Sequence, residues 1–217
     1  SVRRGRATLA GWLRVTASVA FGECLLMPVV RSFLAAHPEV KIDLRLADGF
    51  TDLVEQGIDI AVRIGELGDS ALVARRVGST ERGLFASRDY LASRPARQRR
   101  PRVPADLMQH DCIVYTELAT RNVWTLATTD GSSVTVRVQG RLHINSSEGV
   151  RAATLAGLGV SYVPPWFFTD AVAAGTVVRL LPDWRAPPLP IHLLTTPERR
   201  GAAKVRAFGD QVAAALA

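Results

Sequence analysis

GWLRVTASVAFGECLLMPVVRSFLAAHP, residues 11–38, is an apolar strand, a turn of small residues and an amphipathic helix in succession. LRVTA (13–17) reads as a strand. Leu25, Leu26, Val29, Val30, Phe33 and Leu34 then recur at helical spacing until His37-Pro38 ends the run. The turn between them, Ser18, Val19, Ala20 and Phe21, stands where the first backbone N–H groups of a helix lack intrahelical partners and carry the positive end of its dipole. This predicts an anion-binding corner. KIDLRL (41–46) alternates with period two and reads as a second strand. Residues 50–56 read as a short helix stopped by Gly57, and IDIAVRI (58–64) as a third strand. Strands alternating with helices predict an α/β domain with a parallel sheet and right-handed crossovers. Ligands of such sheets lie beyond the carboxyl ends of the strands, here residues 17–21, 47–50 and 63–66.

With 217 residues, 47% of them hydrophobic and 22% charged, the chain is long enough for one large or two small globular domains. No apolar run reads as approaching the roughly 18 residues of a membrane span, and SVRRGRATLAG lacks the apolar core of a secretory signal, so no membrane partner is expected. The missing initiator Met points to a segment of a longer protein. Cys24 falls in a predicted helix and Cys112 at a strand start, as suits reduced core thiols of a cytoplasmic protein. Much of the net charge of +7 sits in RPARQRRPR (94–102), a loop punctuated by Pro95, Pro101 and Pro104; Arg3, Arg4 and Arg6 form a second group. These groups are either phosphate contacts or a solvated face. The lack of interleaved aromatic residues favours the latter.

The middle of the chain changes character. Residues 72–77 and 82–86 read as extended, 89–93 as a short helix, and 112–115 as a strand. Residues 123–127 and 134–138 flank a turn containing Asp130-Gly131, a hairpin signal. Residues 141–144 extend again, Ser146 or Ser147 caps a helix to about residue 156, and 160–163 is a strand. A helix over 166–174 and a strand over 176–180 follow. After a Pro-rich link, 191–195 reads as a strand and 198–216 as a long helix that returns to the opening sheet. Two connections, near Ala86 and Pro187, then cross between two lobes, which is a hinge geometry.

Catalytic motifs are missing: there is no GxSxG, P-loop, HExxH or CxxC. The four histidines, His37, His110, His143 and His192, are far apart in sequence, and Gly157-Leu158-Gly159 lacks the third glycine of a dinucleotide fingerprint. No enzyme activity, cofactor or metal is expected.

Four segments in order carry a resemblance: GWLRVTAS with FG shortly after it, LMPVVRSFLAAHPEVKIDLRLAD (26–48), DLVEQGIDIAVRIGELGDSALVARRVG (52–78) and AGLGVSYVP (156–164). Together they resemble the effector-binding domain of LysR-type transcriptional regulators, over residues 11 to about 215. The resemblance implies two Rossmann-like lobes like those of type 2 periplasmic binding proteins. Lobe I would comprise 11–86 with 188–217, lobe II 87–187, and residues 1–10 a linker remnant. It further implies a small, partly apolar, anionic inducer held between the lobes, and a homodimer formed through residues 24–35 and 41–46. DNA would be contacted only through an N-terminal winged helix-turn-helix that these residues do not contain. A secreted or periplasmic solute-binding protein shares the fold and is the alternative. It would carry a signal peptide.

Carried over residue by residue, the family's first strand-to-helix turn falls on Ser18, Val19, Ala20 and Phe21, where Ser18 is either a ligand contact or a cap. Asp48 and Phe50 occupy the second strand end. Arg63, beside Gly65, either clamps a carboxylate or pairs with Glu66. From the second lobe come Tyr115 and Thr116, then Asn145, Ser146 and Ser147 at a helix entry. Tyr162 and Val163 complete the set, Tyr162 being either a ligand contact or a core residue with its hydroxyl satisfied.

Overall fold

The computed structural model describes residues 8–217, so Arg3, Arg4, Arg6 and most of the expected linker lie outside it. The chain forms two compact units: one holds the residues up to Ser79 together with Pro190–Ala217, the other Thr80–Leu189.

Unit 1 begins with β1 (Ala10–Ala17), whose Leu13, Val15 and Ala17 are fully buried. A continuous helix follows: α1 (Val19–Phe21), a π-helical stretch (Gly22–Leu26) and α2 (Met27–Ala36). Pro28 explains the wide turns, because proline has no N–H to donate and its ring collides with the carbonyl four residues back. Met27 N–H instead reaches Gly22 O. Gly22 has its own reason: a Cβ there would meet Leu46 Cδ1 at 2.9 Å. Phe33, on the buried face, packs edge-on against Phe208 of the last helix with centroids 5.2 Å apart.

β2 (Glu39–Leu46) pairs with β1 in parallel, as does β3 (Ile60–Ile64). Between them the expected helix over 50–56 is a turn instead. Asp52 Oδ1 accepts the N–H groups of Val54 and Glu55, and this local bond competes with helix propagation in so short a segment. β4 (Val73–Thr80) closes the first pass.

Unit 2 opens with β5 (Gly83–Ser87) and α3 (Arg88–Ser93), followed by the arginine-rich loop, in which Ala96–Gln98 make a single 3-10 turn. Next come β6 (Val114–Tyr115), the hairpin β7 (Val123–Ala127) and β8 (Ser133–Arg137), β9 (His143–Ile144), α4 (Ser147–Leu155) and β10 (Ser161–Val163). The helix expected over 166–174 divides into a 3-10 turn, Pro165–Phe168, and the short α5 (Thr169–Ala173), because Pro164 and Pro165 set its start in a tighter turn. β11 (Val177–Leu180) and β10 flank β5, both antiparallel. The core beneath gathers Leu84, Leu107, Cys112, Trp124, Leu126 and Leu180.

The chain returns to unit 1 with β12 (Leu189–Thr195) and α6 (Ala203–Ala215). α6 is shorter than the expected 198–216, its first residues being spent in turns closed by Arg199 N–H and Arg200 N–H to Thr196 O. The five-stranded sheet has the order β2-β1-β3-β12-β4. It is mixed, not wholly parallel as expected, for β12 runs antiparallel to β3. β12 enters straight from the second unit, and antiparallel pairing needs no crossover helix.

One further expectation needs correction. The helix Val19–Ala36 is long and apolar enough to span a membrane by length and composition, with 18 residues and a mean hydropathy of 1.6. Its 18 residues include two charged ones, Glu23 and Arg31. Leu26, Val29 and Phe33 serve the core of unit 1.

Candidate functional site

In unit 1 the carboxyl ends of three adjacent strands form one rim. Ser18 and Arg63 each stand two residues beyond the Thr16–Ala61 register pair, so they close neighbouring strands at the same edge. Ser18 is extended (φ −62°, ψ 153°) and its side chain makes no capping bond. The cap comes from a distant residue: Asp48, just past β2, accepts the Val19 N–H at 3.0 Å. The helix start therefore already holds a carboxylate of the protein itself, which revises the expectation of an anion corner built on that turn. Ala20 and Phe21 are buried, whereas Phe50 is 95% exposed.

Arg63 carries the rim's positive charge. It is half-buried; Nη1 donates to Val62 O at 3.1 Å, and Nη2 is enclosed with no hydrogen-bond partner among the described residues. Among the described residues no ion pair joins Arg63 to Glu66. Burial pushes the guanidinium pKa down, the signature of a charge taken from water without compensation. Gly65, with φ +113°, turns the chain away after β3, and its N–H donates to Pro190 O.

Two neighbours of Arg63 also hold enclosed polar atoms with no hydrogen-bond partner among the described residues. His192 faces Arg63 directly in the β3–β12 ladder and its Nδ1 is buried without a partner, as is Thr16 Oγ1. Directly opposed residues share a face of the sheet, and Thr16 is aligned with Ala61, two positions before Arg63. One face of the unit 1 sheet thus holds three enclosed polar atoms awaiting partners.

In unit 2, Tyr115, Thr116 and Asn145 to Ser147 meet where β6 and β9 end. Thr116 N–H and Oγ1 both donate to Ile144 O, at 2.8 and 3.2 Å. Ser146 is the α4 cap, its Oγ accepting Gly149 N–H at 3.1 Å; Ser147 is buried behind it and Asn145 is exposed. Tyr162 and Val163 do not join this group. Tyr162 is 4% exposed, its hydroxyl donates to Thr125 O at 2.8 Å, and its ring stacks on Trp124 at 5.0 Å. Arg82 covers that ring with its guanidinium 4.4 Å from the centroid. Burial raises the Tyr162 pKa, with Arg82 opposing it. Val163 is likewise buried, paired with Gly83.

The profile described as the LysR substrate binding domain matches residues 6–217. The chain belongs to this family. It is 36% identical over 199 residues to the HTH-type transcriptional regulator PtxR of Pseudomonas aeruginosa, an alignment covering 92% of this chain and 62% of PtxR. Among solved structures, the CrgA regulatory domain of Neisseria meningitidis aligns with a TM-score of 0.84 at 25% identity, covering 96% of this chain and all of that one. Full-length AphB of Vibrio cholerae, a virulence activator, gives 0.78 at 29% identity, with 95% and 69% covered.

The fold is accordingly the type 2 periplasmic-binding-protein-like one, and the chain is the effector-binding regulatory domain of a cytoplasmic LysR-type regulator, not an enzyme. The match to regulators decides against the solute-receptor alternative. Thr16 and His192 were missed in the sequence because each reads as one polar residue inside an apolar strand. Thr16 stands two residues before Ser18 and so shares its side of the strand, which was the signal available.

Proposed function

We propose that the effector is a small organic anion whose carboxylate, or an equivalent acceptor, pairs with Arg63 on the unit 1 rim. Ser18 and His192 are its neighbours there. One observation carries this reading: a half-buried guanidinium whose Nη2 has no partner. An enclosed cation without a counter-charge is costly, so an anionic ligand that supplies one binds with the benefit of restored compensation.

The effector acts by population shift. If it favours one arrangement of the two units over another, that arrangement gains population in proportion to the differential affinity, ordinarily about 1–3 kcal/mol. DNA reading belongs to a helix-turn-helix outside these residues, coupled through a homodimer of effector domains. The dimer face is edge strand β2 with the adjoining helix, where Met27 and Leu34 are exposed apolar residues.

A thermal-shift screen of carboxylates against their neutral amides tests the reading. Carboxylate hits raise Tm by mass action while the amides do not, and the shift is lost in Arg63→Ala and reduced in Ser18→Ala. Equal stabilisation of wild type and both variants contradicts it. For the dimer, sedimentation of wild type and Leu34→Asp should give a dimer and a monomer respectively, and a monomeric wild type at high concentration rejects it.

A further inference from the structure

The arginine-rich loop has a structural counterpart that the effector function does not absorb. Unit 2 contains a cavity of about 190 Å³ whose lining includes Arg100, Pro101 and Arg102 on one side and Arg179, Asp183 and Trp184 on the other. Its walls are fixed. Pro101 is buried between the two exposed arginines, and Asp106 ties the loop down by accepting the N–H groups of Arg102 at 2.8 Å and Val103 at 3.2 Å. Opposite, Leu181 takes the left-handed conformation (φ +46°), which a non-glycine residue adopts only when its surroundings impose it. That bend lets Trp184 N–H bond Leu181 O at 2.9 Å and brings the indole against the unit 2 core.

The charges in this lining are unbalanced. Three arginines meet a single carboxylate, and among the described residues no ion pair joins any of them to Asp183. Arg179 itself stands in the lining, while its Nε and Nη2 lie beside Gly83 and are enclosed without hydrogen-bond partners among the described residues. A concave space of this volume, edged by arginines and an aromatic wall, fits a small ligand rather than a nucleic-acid groove.

We propose that this cavity is an oxyanion site of unit 2, taking a small molecule that bears a phosphoryl group, independent of the effector site proposed above. Calorimetric titration of the 217-residue chain with inorganic pyrophosphate at constant ionic strength tests it. The expected result is saturable binding that Arg100→Ala/Arg102→Ala weakens about tenfold or more. Arg97→Ala/Arg99→Ala, which removes the same charge from the same loop outside the cavity, should change it less than about twofold. Both pairs lie on exposed positions, so folding is preserved. Ser18→Ala and Arg63→Ala should leave this titration unchanged, which separates failure here from failure of the effector reading. Absence of saturable binding, equal weakening by the two double variants, or tighter competition by a short DNA duplex overturns the proposal.

Discussion

Arg82 in unit 2 and Arg63 in unit 1 are both drawn out of water, and burial lowers the pKa of each. Arg82 spreads over the Tyr162 ring, so although its Nε lacks a partner, the charge has an aromatic face against it and a tyrosine anchored at both ends. Among the described residues, Arg63 has only the carbonyl of the residue before it. A charge compensated within the protein belongs to the fold. A charge left uncompensated at a strand-end rim is available to a ligand. The two helix starts repeat the contrast: α4 is capped locally by Ser146, while α1 takes its cap from Asp48, on another strand, and leaves Ser18 without that duty.

The largest effect should come from breaking the compensated side. Tyr162→Ala removes the stacked ring and uncovers Arg82, and should cost about 3–5 kcal/mol in urea unfolding, as expected for loss of a large buried aromatic. A loss under about 1 kcal/mol would place Tyr162 outside the core.

The caps sharpen the comparison at smaller scale. Ser146→Ala should lower stability by about 1 kcal/mol and Ser18→Ala by no more than a few tenths. Equal losses would mean that Ser18 caps after all. Asp48→Ala should resemble Ser146→Ala, because it deprives Val19 N–H of its acceptor.

A pH series provides a further division between the units. His110 is buried, and burial, then Arg94, hold its pKa below the ordinary 6.5. The unfolded chain therefore takes up this proton before the folded one does. Its contribution to stability is complete above pH 6.5 and is lost as the pH falls below that value towards the folded pKa. His110→Gln should flatten the acid limb of the stability curve; an unchanged limb would show that other groups set it.

The smallest effect is kinetic. Burial pushes the Cys112 thiol up to about 12, so a thiol reagent should leave Cys112 unmodified in the native state while Cys24 reacts. Equal modification of both, read by mass spectrometry, would contradict that burial.

Much of the fold was legible because it depends on local patterns. The apolar spacing from Leu25 to Leu34, the alternation in KIDLRL and the hairpin around Asp130-Gly131 are each decided within a few residues. Features set by distant contacts were not. The direction of β12 follows from where the chain re-enters unit 1, and the turn at 50–56 from a side chain competing with helix bonds. At the rim, the position of Arg63 could be read from strand ends. That Asp48 occupies the helix start, or that His192 opposes Arg63, depends on register, which no single segment encodes.

The most direct test of the rim is urea unfolding of wild type and Arg63→Met, each with and without a stabilising carboxylate. We expect the ligand-free variant to be as stable as wild type or up to about 1 kcal/mol more stable, since it removes an uncompensated buried charge, and to gain nothing from the carboxylate. A variant that is destabilised by several kcal/mol, or that keeps the full carboxylate effect, would contradict the account.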